Sequence, residues 1–200
     1  PVPEKLIDFV KMLEPSIGAV NLEDISQPNC YYVLDELLSC CEIPVWHDDA
    51  QGTACVTLAG LINALKLVDK KIFDIKVVLY GAGAANTTIA RFLMKEGLDP
   101  ANLIMFDSKG ALHSDRVDLA NNPDKFRQWD FAQKTNPKHY KTMEEAMKKA
   151  DVLISLSTPG PDIIKPEWIK LMAEKPIVFA CANPVPEIYP YAAKSAGAFI

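Results

Sequence analysis

"VVLYGAGAANTTIA", residues 77–90, decides the fold. An apolar run of strand character meets two glycines, Gly81 and Gly83, and a helical pattern follows at once. Strand, glycine-rich turn and helix in that order form the opening unit of a dinucleotide-binding βα pair. Gly81 permits the tight turn, and Gly83 lets the backbone approach a pyrophosphate lying on the helix N-terminus. Ala82, Ala84 and Ala85 share the turn as small cofactor-contacting residues. Asn86 occupies the third position of the fingerprint, where Gly or Ala is usual, and is a departure from the pattern. A phosphate-only or vestigial fold is the alternative to a working dinucleotide site.

The next apolar run, "NLIMFD", ends on Asp107, which lies 24 residues after Gly83 (107 − 83). An acid at about that spacing binds a ribose hydroxyl in such folds; otherwise Asp107 only caps a loop. Ser108 and Lys109 follow, and they suit the 2′-phosphate of NADP as Asp107 suits the free hydroxyl of NAD. The choice between the two cofactors stays open. Two later strands end in "SLSTPG" (155–160) and "ACANPVPE" (180–187). Ligands in a doubly wound sheet bind outside the carboxyl ends of the strands, so Ser157 and Asn183 are placed toward the cofactor. Asn183 precedes a proline and is held extended; its amide suits a nicotinamide or a carboxylate, and a structural turn is the plainer use of an Asn-Pro pair.

Alternating α and β patterns extend the same architecture in both directions. "PEKLIDFVKMLEP" and "NCYYVLDELLSCCE" read as amphipathic helices, and "SIGAVNLED" and "IPVWHDD" as short strands. "GTACVTLAGLINALKLV" is apolar nearly all round and reads as a buried connecting helix. "TMEEAMKKA" starts a helix with Thr142 and Glu145 spaced as a capping box, while 108–141 is polar and irregular or carries one short helix. The fold class is α/β, a doubly wound parallel sheet of Rossmann type, with a boundary near Ala50 between an α/β segment, residues 1–50, and the dinucleotide half, residues 51–200.

Both early strands end on acids: Glu23 and Asp24, then Asp48 and Asp49. Adjacent carboxylates on a regular strand point to opposite faces, so only a strand end turns both toward one point. Clustered carboxylates repel, and a hard divalent cation such as Mg²⁺ or Mn²⁺ removes that penalty. Solvated loop acids are the plainer reading of either pair alone. His47 is read as a hydrogen-bonded neighbour, and His113 and His139 receive no role.

A net charge of −5 excludes a broad nucleic-acid surface. The five cysteines show no CxxC pair; most lie in apolar runs, which predicts buried free thiols in a reducing compartment, cytoplasmic with an organelle left open. No apolar stretch is read as transmembrane and no signal peptide is visible, so no membrane partner is expected. The chain starts at Pro1 and ends in "AGAFI", which reads as a strand beginning, so it is expected to be an excerpt of a longer one.

"NLEDI", "IPVWHDDAQGTA", "GAGAAN", "FDSKGA", "SLSTPG" and "ANPVPEI" together resemble the malic enzymes of the smaller, microbial type, in order and spacing, over essentially the whole chain. That resemblance implies oxidative decarboxylation of malate to pyruvate and CO₂ with NAD or NADP and Mn²⁺ or Mg²⁺, by a homo-oligomer such as a dimer. It implies Glu23, Asp24 and Asp49 as metal ligands, Asp48 as the acid supporting a catalytic lysine, and Thr53 and Asn183 as cofactor contacts. The lysine base and tyrosine acid of the family match nothing here. Metal-independent dehydrogenases of other substrates share the architecture, and a non-catalytic dinucleotide sensor would carry the acids as decoration; neither requires the acidic pairs. The 200-residue chain alone is expected to produce no NADH or NADPH from malate, measured by absorbance with the purified protein.

Overall fold

The computed structural model describes residues 2–200. Two sheets organise them. Strands β1 (Val20–Leu22) and β2 (Val45–His47) pair in parallel, with Leu22 opposite His47. Helices α1 (Pro3–Leu13) and α2 (Asn29–Cys40) cover this ribbon. Pro3 opens α1, where its missing N–H costs nothing. Ile7 and Val10 of α1 and Val33, Leu34 and Leu37 of α2 recur at helical spacing and close one apolar cluster with Leu22 and Val45.

After β2 the chain makes a π-helical turn over Asp48–Gly52 and runs straight into α3 (Thr53–Val68). The second sheet then begins. It comprises β3 (Val77–Tyr80), β4 (Leu103–Asp107), β5 (Gly110–Ala111), β6 (Val152–Ser155) and β7 (Ile177–Ala180), in the spatial order β5-β4-β3-β6-β7. All pairs are parallel except β4 with β5. The chain therefore leaves β3 toward β4 on one side and returns to β6 on the other. The carboxyl ends of β3 and β6 mark the switch point at which such sheets bind ligands.

Alternate residues of each strand face opposite layers. Val77, Leu79, Leu103, Met105, Val152 and Ile154 pack under α3 and α4 (Ala84–Lys95). Val78, Ile104 and Leu153 pack against α7 (Met143–Met147), α8 (Pro166–Ile169) and α9 (Pro190–Ala196). This is the three-layer, doubly wound sheet that the apolar runs imply. Helix α4 ends in a left-handed Gly97 (φ +105°), and α7 carries the full Thr142–Glu145 capping box.

Several expectations need correction. The polar stretch 108–141 carries β5, α5 (Val117–Ala120) and α6 (Phe126–Lys134) rather than one helix, because Leu112, Leu119 and Phe131 are buried there. Helix α3 is buried on one face only: Leu61 is fully buried, yet Val56 and Leu67 are 69% and 72% exposed. A sheet can cover only one side of a helix laid on it. Taken with its π-turn, that helix (Asp48–Val68) is long and apolar enough to cross a membrane by length and composition, contrary to the reading of the sequence. Its Leu61, Ala64, Leu65 and Val68 are instead core residues against the sheet. Of the five free cysteines only Cys30 is buried, and burial pushes its thiol up to about 11. Cys40 lies at the open end of α2 and Cys55 on the outer side of α3.

One buried amide holds the far edge of the sheet. Asn136 is 1% exposed and left-handed (φ +52°). Its Nδ2 donates to the carbonyls of Leu112 and Tyr140 at 3.1 and 2.9 Å, and its Oδ1 accepts from the Tyr140 N–H at 2.9 Å. Asn136→Ala leaves those backbone groups without partners, and chemical denaturation is expected to show a loss of about 1–3 kcal/mol.

Candidate functional site

The glycine-rich turn is fixed from three directions. Gly81 adopts φ +104°, and a Cβ added there would stand 2.3 Å from the Leu156 carbonyl oxygen, so the turn lies directly on the loop after β6. The Gly81 N–H donates to the Phe106 carbonyl at 2.9 Å, tying the turn to β4 as well. Asn86 sits beneath, 1% exposed, its Nδ2 donating to the carbonyls of Tyr80 and Gly81 at 3.0 and 2.9 Å. The departure at the third fingerprint position thus has a structural use: an amide bolts down the turn that a small residue would pack against. Gly83 differs from Gly81. Nothing lies within 4 Å of where its Cβ would stand, so its bare backbone faces open space at the start of α4, beside Ala84 and Ala85.

That space is a cavity of about 200 Å³ lined by Gly83, Asp107, Ser108, Lys109 and Gln128. Of the sequence-predicted dinucleotide residues, Ala82, Gly83, Asp107, Ser108 and Lys109 line this hollow, at the carboxyl ends of β3 and β4, whereas Thr53, Gly81, Ala84, Ala85, Asn86, Ser157 and Asn183 do not. A larger hollow, about 490 Å³, lies under Phe179, Ile188 and Phe199 and contains none of them. Gln128 is buried, and its Nε2 donates both to the Ala82 carbonyl and to Gln27 Oε1, each at 2.8 Å. Nothing in the sequence pattern singles it out.

Asp107 is not a bare acid. Arg116 grips it bidentately at 3.1 and 2.8 Å, and Asp107 Oδ1 also accepts from the Lys109 N–H at 2.9 Å. Arg116 further donates to Asp118 through Nε at 2.7 Å and Nη2 at 2.9 Å, and through Nη1 to the Ala111 carbonyl at 3.2 Å. Asp118 foremost, then Asp107, hold the guanidinium's pKa above its ordinary value, and the same contact holds the Asp118 carboxyl well below the carboxylate range. Arg116 is a residue the sequence reading missed; only its opposite charge, nine positions after Asp107, pointed to it.

Glu187 was missed as well. It is fully buried and acceptor to four groups: Oε1 from Ser155 Oγ at 2.7 Å, from the Ser157 N–H at 2.9 Å and from Ser157 Oγ at 3.2 Å, and Oε2 from the Ala182 N–H at 3.0 Å. It ties the loop after β6 to the loop after β7, which carries an exposed Asn183. Ser157 therefore spends its N–H and hydroxyl on Glu187.

The acidic strand ends lie side by side, as parallel pairing of Leu22 with His47 requires. Asp24 turns left-handed (φ +57°), and its N–H donates to Asp49 Oδ2 at 2.8 Å. Asn21 Nδ2 donates to Glu23 Oε1 at 2.6 Å. Glu23, Asp24 and Asp49 are exposed, and among the described residues their oxygens do not gather within 4.8 Å as a three-carboxylate group. Like charges resist that approach until a cation offsets them. The donor set fits a hard divalent ion, three carboxylates on adjoining strand ends. Asp48 lies over Gly52, where an added Cβ would stand 2.3 Å from its Oδ1. His47 is fully buried with both ring nitrogens unpartnered, 3.8 Å from Asp49 Oδ2 through Nδ1; it is not the hydrogen-bonded histidine expected. Thr53 opens α3, half-buried.

Helix α4 packs against the Asp48–Gly52 turn, and Tyr31 Oη shares a 2.8 Å hydrogen bond with Thr87 Oγ1 of α4. Residues 50–195 match the family model described as the NAD-binding domain of malic enzyme. The chain belongs to the malic enzyme family. It is 48% identical to the NAD-dependent malic enzyme of Geobacillus stearothermophilus over 94% of this chain and 37% of that protein. It is 42% identical to the NADP-dependent malic enzyme of Halomonas elongata over 94% of this chain and 42% of that one. Among solved structures, that of Entamoeba histolytica malic enzyme superposes with a TM-score of 0.95 at 58% identity, over 99% of this chain and 41% of that one. The chain thus spans less than half the length of these malic enzymes. The ornithine carbamoyltransferase of Pyrococcus furiosus (TM-score 0.60, 13% identity) shares the fold alone.

The two glycines separate folding from binding. Gly81→Ala drives a Cβ into the Leu156 carbonyl and is expected to lower both Tm and the affinity for NAD(H). Gly83→Ala meets no protein atom, so its Tm is expected to stay near the parent's while dinucleotide affinity, followed by calorimetry, falls.

Proposed function

We propose that this chain supplies the metal-binding edge and the dinucleotide site of a malic enzyme, which oxidatively decarboxylates malate to pyruvate and CO₂ with reduction of NAD or NADP. The observation that carries the reading is the placement of the acid-bearing turn Asp48–Gly52 against the helix that the glycine turn opens. A hydride donor held by the acids would thereby meet the nicotinamide of a cofactor held by the glycines.

In this reading the pyrophosphate lies on the bare backbone of Gly83 and the first N–H groups of α4. Asp107, steadied by Arg116, orients the adenosine ribose, with Ser108 and Lys109 at its 2′ position. The loops of Ser157 and Asn183, braced by Glu187, border the nicotinamide. Glu23, Asp24 and Asp49 would hold Mn²⁺ or Mg²⁺, which when bound supplies the Lewis acidity that hydroxyl oxidation and loss of CO₂ both need. Asp48 keeps its place through the side-chain space that Gly52 leaves, ready to support a cationic general base. A small-molecule substrate, a homo-oligomeric assembly and a reducing compartment such as the cytoplasm complete the proposal; the five free cysteines support the last.

The reading is tested in a chimera in which this chain replaces the matching segment of Entamoeba histolytica malic enzyme. Asp49→Asn is expected to lower Mn²⁺-dependent malate oxidation by a hundredfold or more, roughly the loss of one metal ligand, while NAD(P) affinity stays within about twofold. Equal loss of both would show that Asp49 only holds the fold.

A further inference from the structure

The β5–α5 segment and the turn before α7 bring two histidines and an aspartate together, away from the acids and the glycine turn. The donor atoms of His113, Asp115 and His139 all lie within 4.8 Å of one another. Asp115 Oδ2 stands 2.9 Å from His139 Nδ1 and 3.9 Å from His113 Nδ1. The two imidazole centroids are 5.3 Å apart and their planes differ by 32°. We propose that His113, Asp115 and His139 form a second metal site, for a borderline transition ion of which Zn²⁺ is the fitting case, with a fourth position open to water.

Ligand chemistry separates this site from the carboxylate edge. Imidazole nitrogens suit Zn²⁺, whereas all-oxygen sets suit Mg²⁺ and Mn²⁺. In a tetrahedral site with bonds near 2.0–2.2 Å, neighbouring donors stand about 3.3 Å apart. The two Asp115–histidine separations, 2.9 and 3.9 Å, bracket that value, and the third donor pair lies within 4.8 Å, so side-chain adjustment closes the set. His113 Nδ1 is an acceptor, 3.3 Å from the Asp115 N–H, so it presents the lone pair that a metal requires, and a bound ion would take the place of that bond.

The scaffold is also built in advance. His113 follows Leu112 and His139 precedes Tyr140, and both neighbours are held by the side chain of Asn136. A single buried amide thus sets the two rings at a fixed spacing. His139 itself is left-handed (φ +50°), a conformation that costs energy outside glycine and directs its ring back toward Asp115. Ser114 Oγ lies 3.3 Å from His139 Nε2, the orienting partner that metal-bound histidines commonly have on the second nitrogen. Arg116, which grips Asp107, is the next residue after Asp115, so an ion here would stiffen the loop that borders the ribose pocket.

Calorimetric titration of the purified 200-residue chain with Zn²⁺ alone tests the site. One equivalent is expected to bind and to raise Tm. Binding and the Tm shift should vanish in His113→Gln, Asp115→Asn and His139→Gln and persist in Asp49→Asn, and Ser114→Ala should weaken affinity roughly tenfold. Co²⁺ added to the parent chain, which needs no variant to fold, should give a tetrahedral or five-coordinate d–d spectrum without sulfur-to-metal charge transfer. A thiolate charge-transfer band, retention of zinc by the histidine variants, or its loss in Asp49→Asn alone would each overturn the assignment.

Discussion

Backbone touches backbone where β3 and β6 leave the sheet, and the site depends on that contact. The two strands are neighbours only because the chain reverses direction across β3, and their loops leave on the same edge. At Gly81 the loops are so close that no side chain fits between its Cα and the Leu156 carbonyl. The positive φ there and the pull of Asn86 on the Tyr80 and Gly81 carbonyls serve the same approach. Once the turn is pinned, Gly83 and the start of α4 take up their position over the cavity beside Asp107. The loop after β6 is held in turn by Glu187, which reaches across from the loop after β7. A chain of short-range constraints therefore runs along the carboxyl edge, each loop set by its neighbour.

Much of the fold was legible because apolar runs and glycines report local backbone demands. Strand β3, the turn and α4 follow from residues 77–95 alone, and the capping box before α7 follows from two residues. The glycine turn, Asp107 and the acidic strand ends were readable for the same reason: each sits at the end of a recognisable strand. Partners reached through space were not. Glu187 and Ser155 are 32 positions apart, Gln128 and Ala82 are 46 apart, and no local pattern marks a residue whose bonds lie that far away. His113 and His139 looked idle because 24 positions, including α5 and α6, separate Asp115 from His139; Asn136 holds the neighbours of both histidines. Amphipathic reasoning misjudged α3, because an all-round apolar composition does not say how many sides have a neighbour.

Charge is handled differently at the two ends of the site. Beside the cavity at the glycine turn, Asp107 and Asp118 share one guanidinium whose donors are all engaged, so the acids are compensated within the protein. At the acidic strand ends, Glu23 accepts from the Asn21 amide and Asp49 from the Asp24 N–H, with no cationic side chain beside these acids among the described residues, and the fully buried His47 stands 3.8 Å from Asp49. One cluster is closed and rigid. The other keeps exposed carboxylate oxygens that no cationic side chain among the described residues compensates.

Gln128 gives the arrangement a mechanical character. Both hydrogens of its amide are committed, one to the first segment through Gln27 and one to the glycine turn through Ala82. Tyr31 with Thr87 makes a parallel tie a short way along α4. The two sheets are thus coupled like the arms of a linkage whose pin is the dinucleotide loop itself. The ribbon of acids is therefore joined to the glycine turn and its helix by side-chain hydrogen bonds as well as by packing.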